Sequence, residues 1–385
     1  MAQNNLFSEM DGYSEIVKEI EVLQKYGPDY SAQRGRVGRI LERLHPPRLN
    51  LRLSEIRDET VSTKTLRFTS AEGFLPPFQA GQYINLFVET GGVRTSRPYS
   101  ISSPPNQVAY YDLTVRRTPD GFVSNYLLDE ARVGEVFVAT SPAGNFYFNP
   151  LFMDRELMLL AGGSGITPLM SMIREATDRG LDRKLHLIYG CRLEGDVIFE
   201  AELRDRAARH PNFKFDPVVS EPSSGYAGLT GFLAGELIKK IVPNPAKKTF
   251  FLCGPEAMYD FCLPELEKLG APRRKIRTEV FGGPKNPAAQ PGWPEEVSPD
   301  AVFEVKVGGR SIPARAGEPL LVSLERAGLA VPAQCRAGEC SLCRVKLLSG
   351  RVFQPRGAKV RRSDRTYGYI HSCAAYPLAD LEILI

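Results

Sequence analysis

The sequence predicts a multidomain protein of α/β and β class. An N-terminal helical segment precedes a small antiparallel β-barrel, a parallel α/β domain and a small C-terminal β domain. Three observations carry this prediction: short, partly alternating strands over residues 50–150, apolar strands alternating with helical stretches over 151–283, and a Pro-rich stretch followed by further short strands. Closely spaced short strands favour a barrel, whereas repeated strand–helix units favour a parallel sheet covered by helices.

The composition is that of a globular protein with two or three domains. The 385 residues are 43% hydrophobic and 24% charged, and the formal net charge of +4 points to no nucleic-acid partner. The sequence has no uninterrupted apolar stretch of membrane-spanning length, and its start lacks the basic and apolar regions of a secretory signal. We therefore expect a cytoplasmic, reducing setting, in which seven cysteines do not form a disulfide framework.

Residues 1–48 are predicted to form a helical extension. Apolar side chains recur at helical spacing in two stretches, separated by Gly27 and Pro28. The two apolar faces comprise Ile16, Ile20 and Leu23, and Val37, Ile40, Leu41 and Leu44. Each face needs a covering surface, so we expect the extension either to pack against the barrel or to mediate dimerisation or acceptor docking.

The remaining domain boundaries follow changes in the sequence pattern. We predict the barrel over residues 49–150, the α/β domain over 151–283, a linker over 284–299 and the C-terminal domain over 300–385. The linker holds five prolines, which favour an extended, semi-rigid chain. In the C-terminal domain, a Gly-Gly pair between two strands predicts a β-hairpin.

A glycine-rich turn between a buried strand and a helix is a candidate phosphate site. Gly162, Gly163 and Gly165 would let the backbone approach a ligand, and the start of the helix would offer free amides and the positive end of its dipole. The spacing is not the Gly-x-Gly-x-x-Gly fingerprint of dinucleotide-binding folds. A plain tight turn explains the same glycines, so both interpretations stay open.

The stretch RPYS at 97–100 combines a cation, an aromatic ring and a hydroxyl group. On a strand, Arg97 and Tyr99 face one side, and Pro98 and Ser100 face the other. A guanidinium can bind a phosphate, and a tyrosine ring can pack on a flat heterocycle. An ordinary barrel strand with a surface arginine is the alternative.

Four cysteines near the end of the chain form a metal-ligand pattern. Cys335, Cys340 and Cys343 follow the spacing C-x4-C-x2-C, and Cys373 stands further downstream. This is the spacing of plant-type [2Fe–2S] ligands, whereas zinc ribbons usually carry two C-x2-C pairs and this loop carries one. Gly338 would let the backbone wrap the inorganic sulfides, whose charge needs amide donors. The sequence therefore favours a [2Fe–2S] cluster over zinc.

Five motifs occur in one order along the chain: RPYS at 97–100, GFVSNYL at 121–127, GGSGITP at 162–168, CGPEAMYDF at 253–261 and EVFGG at 279–283. In this order they resemble the ferredoxin–NADP reductase superfamily. With the C-terminal cysteines, the chain resembles oxygenase-reductase type electron-transfer flavoproteins. The resemblance implies that the barrel binds a flavin, the α/β domain binds NAD, and the C-terminal domain is a plant-type ferredoxin domain of β-grasp fold.

The resemblance also implies roles for single residues in the flavin domain. Arg97 would bind flavin phosphate, with Pro98 in the same binding segment. Tyr99 would pack on the isoalloxazine, and Ser100 would hydrogen-bond near its N5 atom. The residues expected to open a helix under the flavin pyrophosphate are Gly121, Phe122, Val123 and Ser124.

A second set of residues would bind the nicotinamide coenzyme. Thr167 and Cys253 would border the nicotinamide. Glu279 and Phe281 match the family's terminal Glu-x-aromatic segment, in which the ring covers the flavin until nicotinamide displaces it. Here a linker follows this segment instead of the end of the chain. The remaining residues expected in the coenzyme site are Gly162, Gly163, Gly165, Gly254 and Pro255.

Three residues bear on the choice of cofactors. Gly144 in SPAGNF stands where FAD-type relatives carry a glycine, so FAD is favoured over FMN. Glu221 would repel the 2′-phosphate of NADPH and could accept a hydrogen bond from a free ribose hydroxyl, so NADH is favoured over NADPH. Arg192, a nearby cation, argues for NADPH.

These features predict an NADH-dependent reductase that passes electrons one at a time, through FAD and the [2Fe–2S] cluster, to a separate acceptor protein. The resemblance makes a terminal oxygenase the expected acceptor. One alternative is an oxygen-independent system, such as corrinoid reactivation or ferredoxin reduction. An alternative of another class is a redox-responsive binding module.

A basic loop precedes the fourth cysteine. Residues 351–365 carry six basic side chains and one acidic side chain. In a ferredoxin domain this loop is expected near the rim of the cluster, where an electron leaves. We expect an acidic face of the acceptor to dock there, because opposite charge steers encounter; a solvated loop is the alternative. The residues expected to engage it are Arg356, Lys359, Arg361 and Arg362.

Overall fold

The computed structural model describes residues 12–26 and 35–385, and the chain divides into two compact units, residues 1–47 and 48–385. In the first unit, helix α1 spans Tyr13–Tyr26 and helix α2 spans Arg36–Leu44. The predicted break at residues 27–28 lies outside the described residues. The apolar side chains of both predicted faces that the structure describes are largely exposed, as in Ile16 and Val37. That these faces pack against the barrel, or mediate dimerisation or acceptor docking, stays a prediction. Within the described ranges, no helix has the length and apolar character needed to cross a membrane.

The first domain of the second unit is a closed antiparallel sheet. Its elements are β1 Leu49–Thr60, β2 Thr63–Ser70, β3 Tyr83–Thr90, β4 Val93–Ser100, β5 Tyr111–Arg116, α3 Phe122–Asp129 and β6 Val136–Ala139. The strand order is β4-β3-β6-β1-β2-β5, and a bridge between Ile101 and Leu113 joins the two edges. The first half of β1 alternates buried and exposed residues, so Leu49, Leu51 and Leu53 point into the core.

The second domain is a parallel sheet with helices. Its elements are β7 Glu156–Gly162, α4 Ile166–Asp178, β8 Lys184–Cys191, α5 Glu200–Arg209, β9 Phe213–Val219, β10 Leu229–Thr230, α6 Gly235–Ile241, β11 Thr249–Cys253, α7 Glu256–Lys268 and β12 Ile276–Glu279. The strand order is β10-β9-β8-β7-β11-β12. Strand β11 is buried along its whole length, and α4 is buried from Ile166 to Thr177. In such a sheet, ligands bind at the carboxyl ends of the strands.

The third domain is a mixed sheet packed against a short helix. Its elements are β13 Val302–Val307, β14 Arg310–Arg315, α8 Leu320–Arg326, β15 Arg344–Ser349, β16 Val352–Phe353, α9 Arg362–Thr366, β17 Tyr369–His371, β18 Tyr376–Pro377 and β19 Leu381–Leu384. The main sheet has the order β14-β13-β19-β15-β17. The predicted hairpin joins β13 to β14, and its two glycines have φ values of 52° and 81°. These three domains confirm the predicted fold class.

The segment predicted as a linker is anchored to the third domain. Trp293, the single tryptophan of the sequence, packs its ring against Phe353 and Tyr376, with ring centroids 5.3 and 6.5 Å apart. Its indole N–H donates to the carbonyl oxygen of Val297 at 2.9 Å. Buried aromatic rings are large contributors to packing. The segment therefore holds the third domain by side-chain contacts as well as by chain connectivity, while its exact boundaries stay a prediction.

Candidate functional site

A cavity of about 610 Å³ lies between the first and third domains. We call it the interdomain cavity. Its wall in the first domain is formed by Val93, Thr95, Arg97, Pro98, Tyr99 and residues 118–124. The segment after β12 contributes Phe281, Gly282 and Gly283. Its wall in the third domain is formed by Glu318, Pro319, Leu321, Val322, Glu325, Arg326, Arg336 and Cys373. The volume lies in the range typical of cofactor sites.

The start of α3 forms one side of the interdomain cavity. Gly121 precedes the helix, and a Cβ atom at this position would lie 2.9 Å from the carbonyl oxygen of Thr118, too close for any other residue. The predicted residues 121–124 all lie on the cavity wall. The first amides of a helix have no partner within the helix and favour an anion. This side of the cavity therefore fits the diphosphate of a dinucleotide such as FAD.

Arg97 and Tyr99 lie on the same wall, but Pro98, which the alternation in RPYS predicts on the other side of the strand, lines that wall as well, and only Ser100 does not. Arg97 Nη1 donates to Thr95 Oγ1 at 2.7 Å and to the carbonyl oxygen of Ser96 at 2.8 Å. Burial, followed by the charge of Arg336, lowers the pKa of Arg97 to about 10. Burial also raises the pKa of Tyr99, so its ring meets the cavity as a neutral phenol.

Phe281 reaches the interdomain cavity from the second domain. Its ring stands edge-on to the ring of Tyr83, with centroids 5.5 Å apart and planes at 90°. The side chain is partly exposed and lines the cavity next to Gly282 and Gly283. A ring in this position can cover a flat heterocycle bound in the cavity, which is the role that the family resemblance implies.

The glycine-rich turn after β7 packs against the turn after β11. A Cβ atom at Gly165 would lie 2.0 Å from the carbonyl oxygen of Cys253, and one at Gly254 would lie 2.4 Å from Met258 Sδ. Gly163 has a φ of 52° and faces Arg116. Close packing of the two turns thus requires these glycines whether or not a phosphate binds there.

This packing brings the predicted nicotinamide residues to one edge of the parallel sheet. Thr167 lies in the first turn of α4, and its hydroxyl donates to the carbonyl oxygen of Ser164. Cys253 ends β11 and pairs in register with Glu279, which ends β12. Burial raises the pKa of the Cys253 thiol, so this group is neutral. Thr167, Cys253, Glu279 and Ser100 do not belong to the described wall of the interdomain cavity.

Glu279 lies close to the third domain as well. Burial, and then the negative charges of Glu339 and Cys335, raise the pKa of its carboxyl group to about 8. A carboxyl group with this pKa is mostly protonated at neutral pH. The carboxyl end of β12 therefore approaches the loop that carries the first three cysteines.

Glu221 and Arg192 lie together beyond the carboxyl ends of β9 and β8. The Glu221 N–H donates to the carbonyl oxygen of Arg192 at 2.9 Å, and Arg192 Nε lies 3.9 Å from Glu221 Oε2. Both side chains are about two-thirds exposed. Glu221, which favours NADH, and Arg192, which argues for NADPH, are thus close enough to contact the same 2′ group of a coenzyme ribose.

The four cysteines of the C-terminal domain converge in one loop region. Cys335 Sγ accepts N–H bonds from Ala337, Glu339 and Cys340 at 3.4, 3.3 and 3.4 Å. The thiols of Cys340 and Cys373, together with these amides, lower the pKa of Cys335 well below its ordinary value. A cluster of amide donors around a sulfur stabilises its thiolate form, which is the form that binds iron.

The second half of the cysteine site is equally compact. Cys343 Sγ and Cys373 Sγ lie 3.2 Å apart, and the Gly338 N–H donates to Cys373 Sγ at 3.3 Å. Gly338 has a φ of 76°, and a Cβ atom there would lie 3.1 Å from the Cα of Ala358. In the described part of the chain, no three His, Cys, Asp or Glu side chains are arranged around a single metal ion. The four sulfurs and their amide donors fit the ligand set of an iron–sulfur cluster.

Sequence reasoning missed the residues that join the first and third domains. Thr95 Oγ1 donates to Glu325 Oε2 at 2.9 Å and accepts from Arg336 Nη2 at 3.1 Å. The buried Asn85 donates from Nδ2 to the carbonyl oxygen of Gln334 at 2.8 Å. Arg336 stands between two ligand positions of the cysteine motif, but the motif does not indicate the direction of its side chain.

Family models match the three domains in order. The FAD-binding domain of oxidoreductases matches residues 50–148, the NAD-binding domain of oxidoreductases matches residues 159–263, and the 2Fe-2S iron-sulfur cluster binding domain matches residues 303–378. These matches support FAD, NADH and a [2Fe–2S] cluster as cofactors.

Curated relatives match most of the chain. The glycine betaine monooxygenase reductase subunit of Chromohalobacter salexigens is 31% identical over 352 residues, which are 87% of this chain and 95% of the relative. The ferredoxin reductase component of 3-ketosteroid-9-alpha-monooxygenase from Mycolicibacterium smegmatis is 33% identical over 346 residues, which are 86% of this chain and 95% of the relative.

A solved structure has the same domain order. Phthalate dioxygenase reductase, described as a modular structure for electron transfer from pyridine nucleotides to [2Fe-2S], matches with a TM-score of 0.65 and 24% identity, over 88% of this chain and 97% of that chain. This match shows the fold, and the curated relatives show the family. The chain is therefore an electron-transferring oxidoreductase with FAD-, NAD- and [2Fe–2S]-binding domains, and it belongs to the ferredoxin–NADP reductase superfamily, among the oxygenase-reductase type flavoproteins with a C-terminal ferredoxin domain.

Proposed function

We propose that the protein takes a hydride from NADH and delivers the electrons, through FAD and its [2Fe–2S] cluster, to a separate terminal oxygenase. The observation that carries this proposal is the shared wall of the interdomain cavity. Arg97 and Tyr99 contribute to it from the flavin domain, and the cluster ligand Cys373 contributes to it from the ferredoxin domain. A flavin bound in this cavity is next to a ligand of its electron acceptor.

The chain's own residues bind and orient the reacting groups. FAD supplies two-electron chemistry towards NADH and one-electron chemistry towards the cluster. Arg97 and the first turn of α3 would hold the diphosphate, and Tyr99 would pack on the flat ring system. Hydride transfer needs no general acid or base, so catalysis is mainly positioning.

The edge of the parallel sheet where the nicotinamide is proposed to bind carries little charge at its centre. Burial raises the pKa of the Cys253 thiol and raises that of the Glu279 carboxyl group to about 8, so at neutral pH the thiol is uncharged and the carboxyl group is mostly protonated. The proposed roles of Thr167, Cys253 and Glu279 are therefore to shape and desolvate the place where the nicotinamide meets the flavin. Ser100, buried at the end of β4, is proposed to contact the flavin from the same side.

The relatives favour a terminal oxygenase as the acceptor. The glycine betaine and 3-ketosteroid proteins are named as reductase components of monooxygenases, and they match nearly the whole length of this chain. We extend this role to the present protein and propose a cytoplasmic setting for it, as the sequence analysis predicts. Full-length matches to enzymes also favour turnover over a role as a redox-responsive binding module.

NADH is the proposed coenzyme because of the position of Glu221. Its carboxylate lies beyond the carboxyl end of β9, where a ribose hydroxyl could donate to it. The partial neutralisation of Arg192 by Glu221 weakens the argument that Arg192 makes for NADPH.

The proposed acceptor surface is the basic loop beside the cluster. The Lys359 N–H donates to the carbonyl oxygen of Gly338 at 3.0 Å, and its side chain pairs with Glu339 at 2.5 Å. Arg356, Arg361 and Arg362 are exposed. The loop thus lies against the cysteine loop, where positive charge can attract an acidic acceptor.

Replacing Cys340 by serine tests the proposed electron route. The variant is expected to lose the visible absorption of the cluster and to stop passing electrons to the acceptor, because one iron ligand is gone. Reduction of FAD by NADH should stay within about twofold of wild type, since that step takes place in the other two domains. Absorption, EPR and stopped-flow spectroscopy measure these effects, with Leu342→Ala as a control in the same loop. A full reduced-cluster EPR signal in Cys340→Ser would show that this residue is not a ligand.

Replacing Glu221 by arginine tests the choice of coenzyme. We expect the preference for NADH over NADPH, measured as the ratio of kcat/KM values, to fall at least tenfold, which is about 1.4 kcal/mol. The cause is the exchange of a repulsive carboxylate for a cation that can bind the 2′-phosphate. Glu267→Arg, on the exposed side of α7, makes the same change of charge elsewhere and should leave the ratio unchanged. A wild-type protein that already prefers NADPH tenfold would refute the assignment.

Salt dependence tests the proposed docking surface. Raising the ionic strength from about 0.01 to 0.15 M shortens the Debye length from about 30 to 8 Å. Reduction of the acceptor should slow under this change, whereas hydride transfer from NADH should slow much less. The double variant Arg361→Glu/Arg362→Glu should lose most of the salt dependence, and Arg310→Glu, on the β13–β14 hairpin, should keep it. If the rate of electron transfer to the acceptor stays constant or rises with salt concentration, the loop is only a solvated surface.

A further inference from the structure

Arg336 extends from the cysteine loop to the wall of the interdomain cavity. Its backbone has a φ of 54°, in the left-handed region that arginine seldom adopts, and the residue is only 7% exposed. A buried guanidinium normally requires a full set of acceptors. In the described residues, Arg336 Nε is buried and has no hydrogen-bond partner. The side chain thus brings a positive charge to the wall of the cavity, while its Nε stays buried and unpaired beside it.

Thr95 connects Arg336 to the flavin-binding strand. The Thr95 hydroxyl accepts from Arg336 at 3.1 Å and from Arg97 at 2.7 Å, and it donates to Glu325 at 2.9 Å. Glu325 also forms an ion pair with Arg336. One hydroxyl on β4 therefore holds together an arginine of the flavin domain and an ion pair of the ferredoxin domain.

The charges around this hydroxyl do not cancel. Glu325 can neutralise Arg336, but Arg97 forms hydrogen bonds to neutral oxygens and has no ion-pair partner among the described residues. On the same wall, Arg326 pairs with Glu318, and Asp120 is exposed to solvent. Two guanidinium groups thus lie near a single, mostly buried carboxylate that pairs with only one of them, an arrangement that a bound anion would stabilise.

We propose that Arg336 is a flavin-binding residue, supplied by the ferredoxin domain, and that it acts on the diphosphate of FAD together with Arg97. FAD would then be held across the interface between the two domains. This inference rests on FAD occupying the interdomain cavity.

The proposal makes flavin binding and domain docking reciprocal. If the docked ferredoxin domain increases the affinity for FAD by a given factor, FAD must favour docking by the same factor. Because Arg336 is adjacent to the cluster ligand Cys335, the contact that holds the flavin also fixes the cluster loop. FAD-loaded protein is then the form in which the cluster is placed for electron transfer.

Titration of flavin-free, cluster-loaded protein with FAD tests this inference. Arg336→Gln is expected to raise the dissociation constant of FAD at least tenfold, because a charge-assisted contact to the diphosphate is lost. Arg336→Lys keeps the positive charge, so its FAD dissociation constant should lie between those of wild type and Arg336→Gln. Riboflavin, which has no phosphate, should bind wild type and Arg336→Gln equally. The control Arg315→Gln, an exposed residue of β14, should bind FAD as wild type does.

Two results would overturn the proposal. The first is an FAD dissociation constant of Arg336→Gln that lies within twofold of the wild-type value while the cluster is intact. The second is an equal loss of affinity for FAD and riboflavin in Arg336→Gln, which would indicate general damage to the cavity. If Arg97→Gln weakens FAD binding and Arg336→Gln does not, the cavity is the flavin site and only the role of Arg336 fails. If neither Arg97→Gln nor Arg336→Gln changes the FAD dissociation constant, FAD does not bind in the interdomain cavity.

A second measurement requires no variant at Arg336 to fold. In the wild-type protein, bound FAD should raise the temperature at which the cluster bleaches, since FAD holds the ferredoxin domain in place. An equal bleaching temperature with and without FAD would overturn the reciprocal coupling, even if Arg336→Gln fails to retain its cluster.

Discussion

The contact between strand β4 and the cysteine loop is the constraint on which the electron route depends. Thr95 bonds to Glu325 and Arg336, and Asn85 bonds to the backbone at Gln334. These bonds are buried or partly buried and cross from one domain to the other, so leaving a buried donor or acceptor without its partner would cost free energy. They hold the third domain against the barrel, and in this arrangement Cys373 contributes to the wall of the interdomain cavity.

Burial sets the charge of each part of the site. At the sheet edge, it raises the pKa of Cys253 and raises that of Glu279 to about 8, and in the interdomain cavity it lowers the pKa of Arg97 to about 10. A largely uncharged edge suits a nicotinamide ring, and the guanidinium groups of Arg97 and Arg336 on the cavity wall suit a diphosphate. The anchoring of the Pro-rich segment through Trp293 adds a second attachment for the ferredoxin domain.

The sequence predicted those features that depend on local pattern. Short, partly alternating strands indicated the barrel, and the cysteine spacing agreed with the family match at the C-terminal domain. Features that depend on contacts between residues far apart in the sequence were not predicted. The direction of Arg336 follows from a positive φ that no spacing reveals, and Gly165 is required by the backbone at Cys253, which is far away in sequence. The roles of individual site residues stay predictions.

The most direct test of the account is a single-turnover reaction in which NADH is mixed with the oxidised protein in the absence of oxygen. We expect the cluster to become reduced at a rate that does not change with protein concentration, because the residues proposed to bind the flavin and the proposed cluster ligand Cys373 line one cavity within one chain. A rate that rises in proportion to protein concentration would contradict the account, since electrons would then pass between molecules.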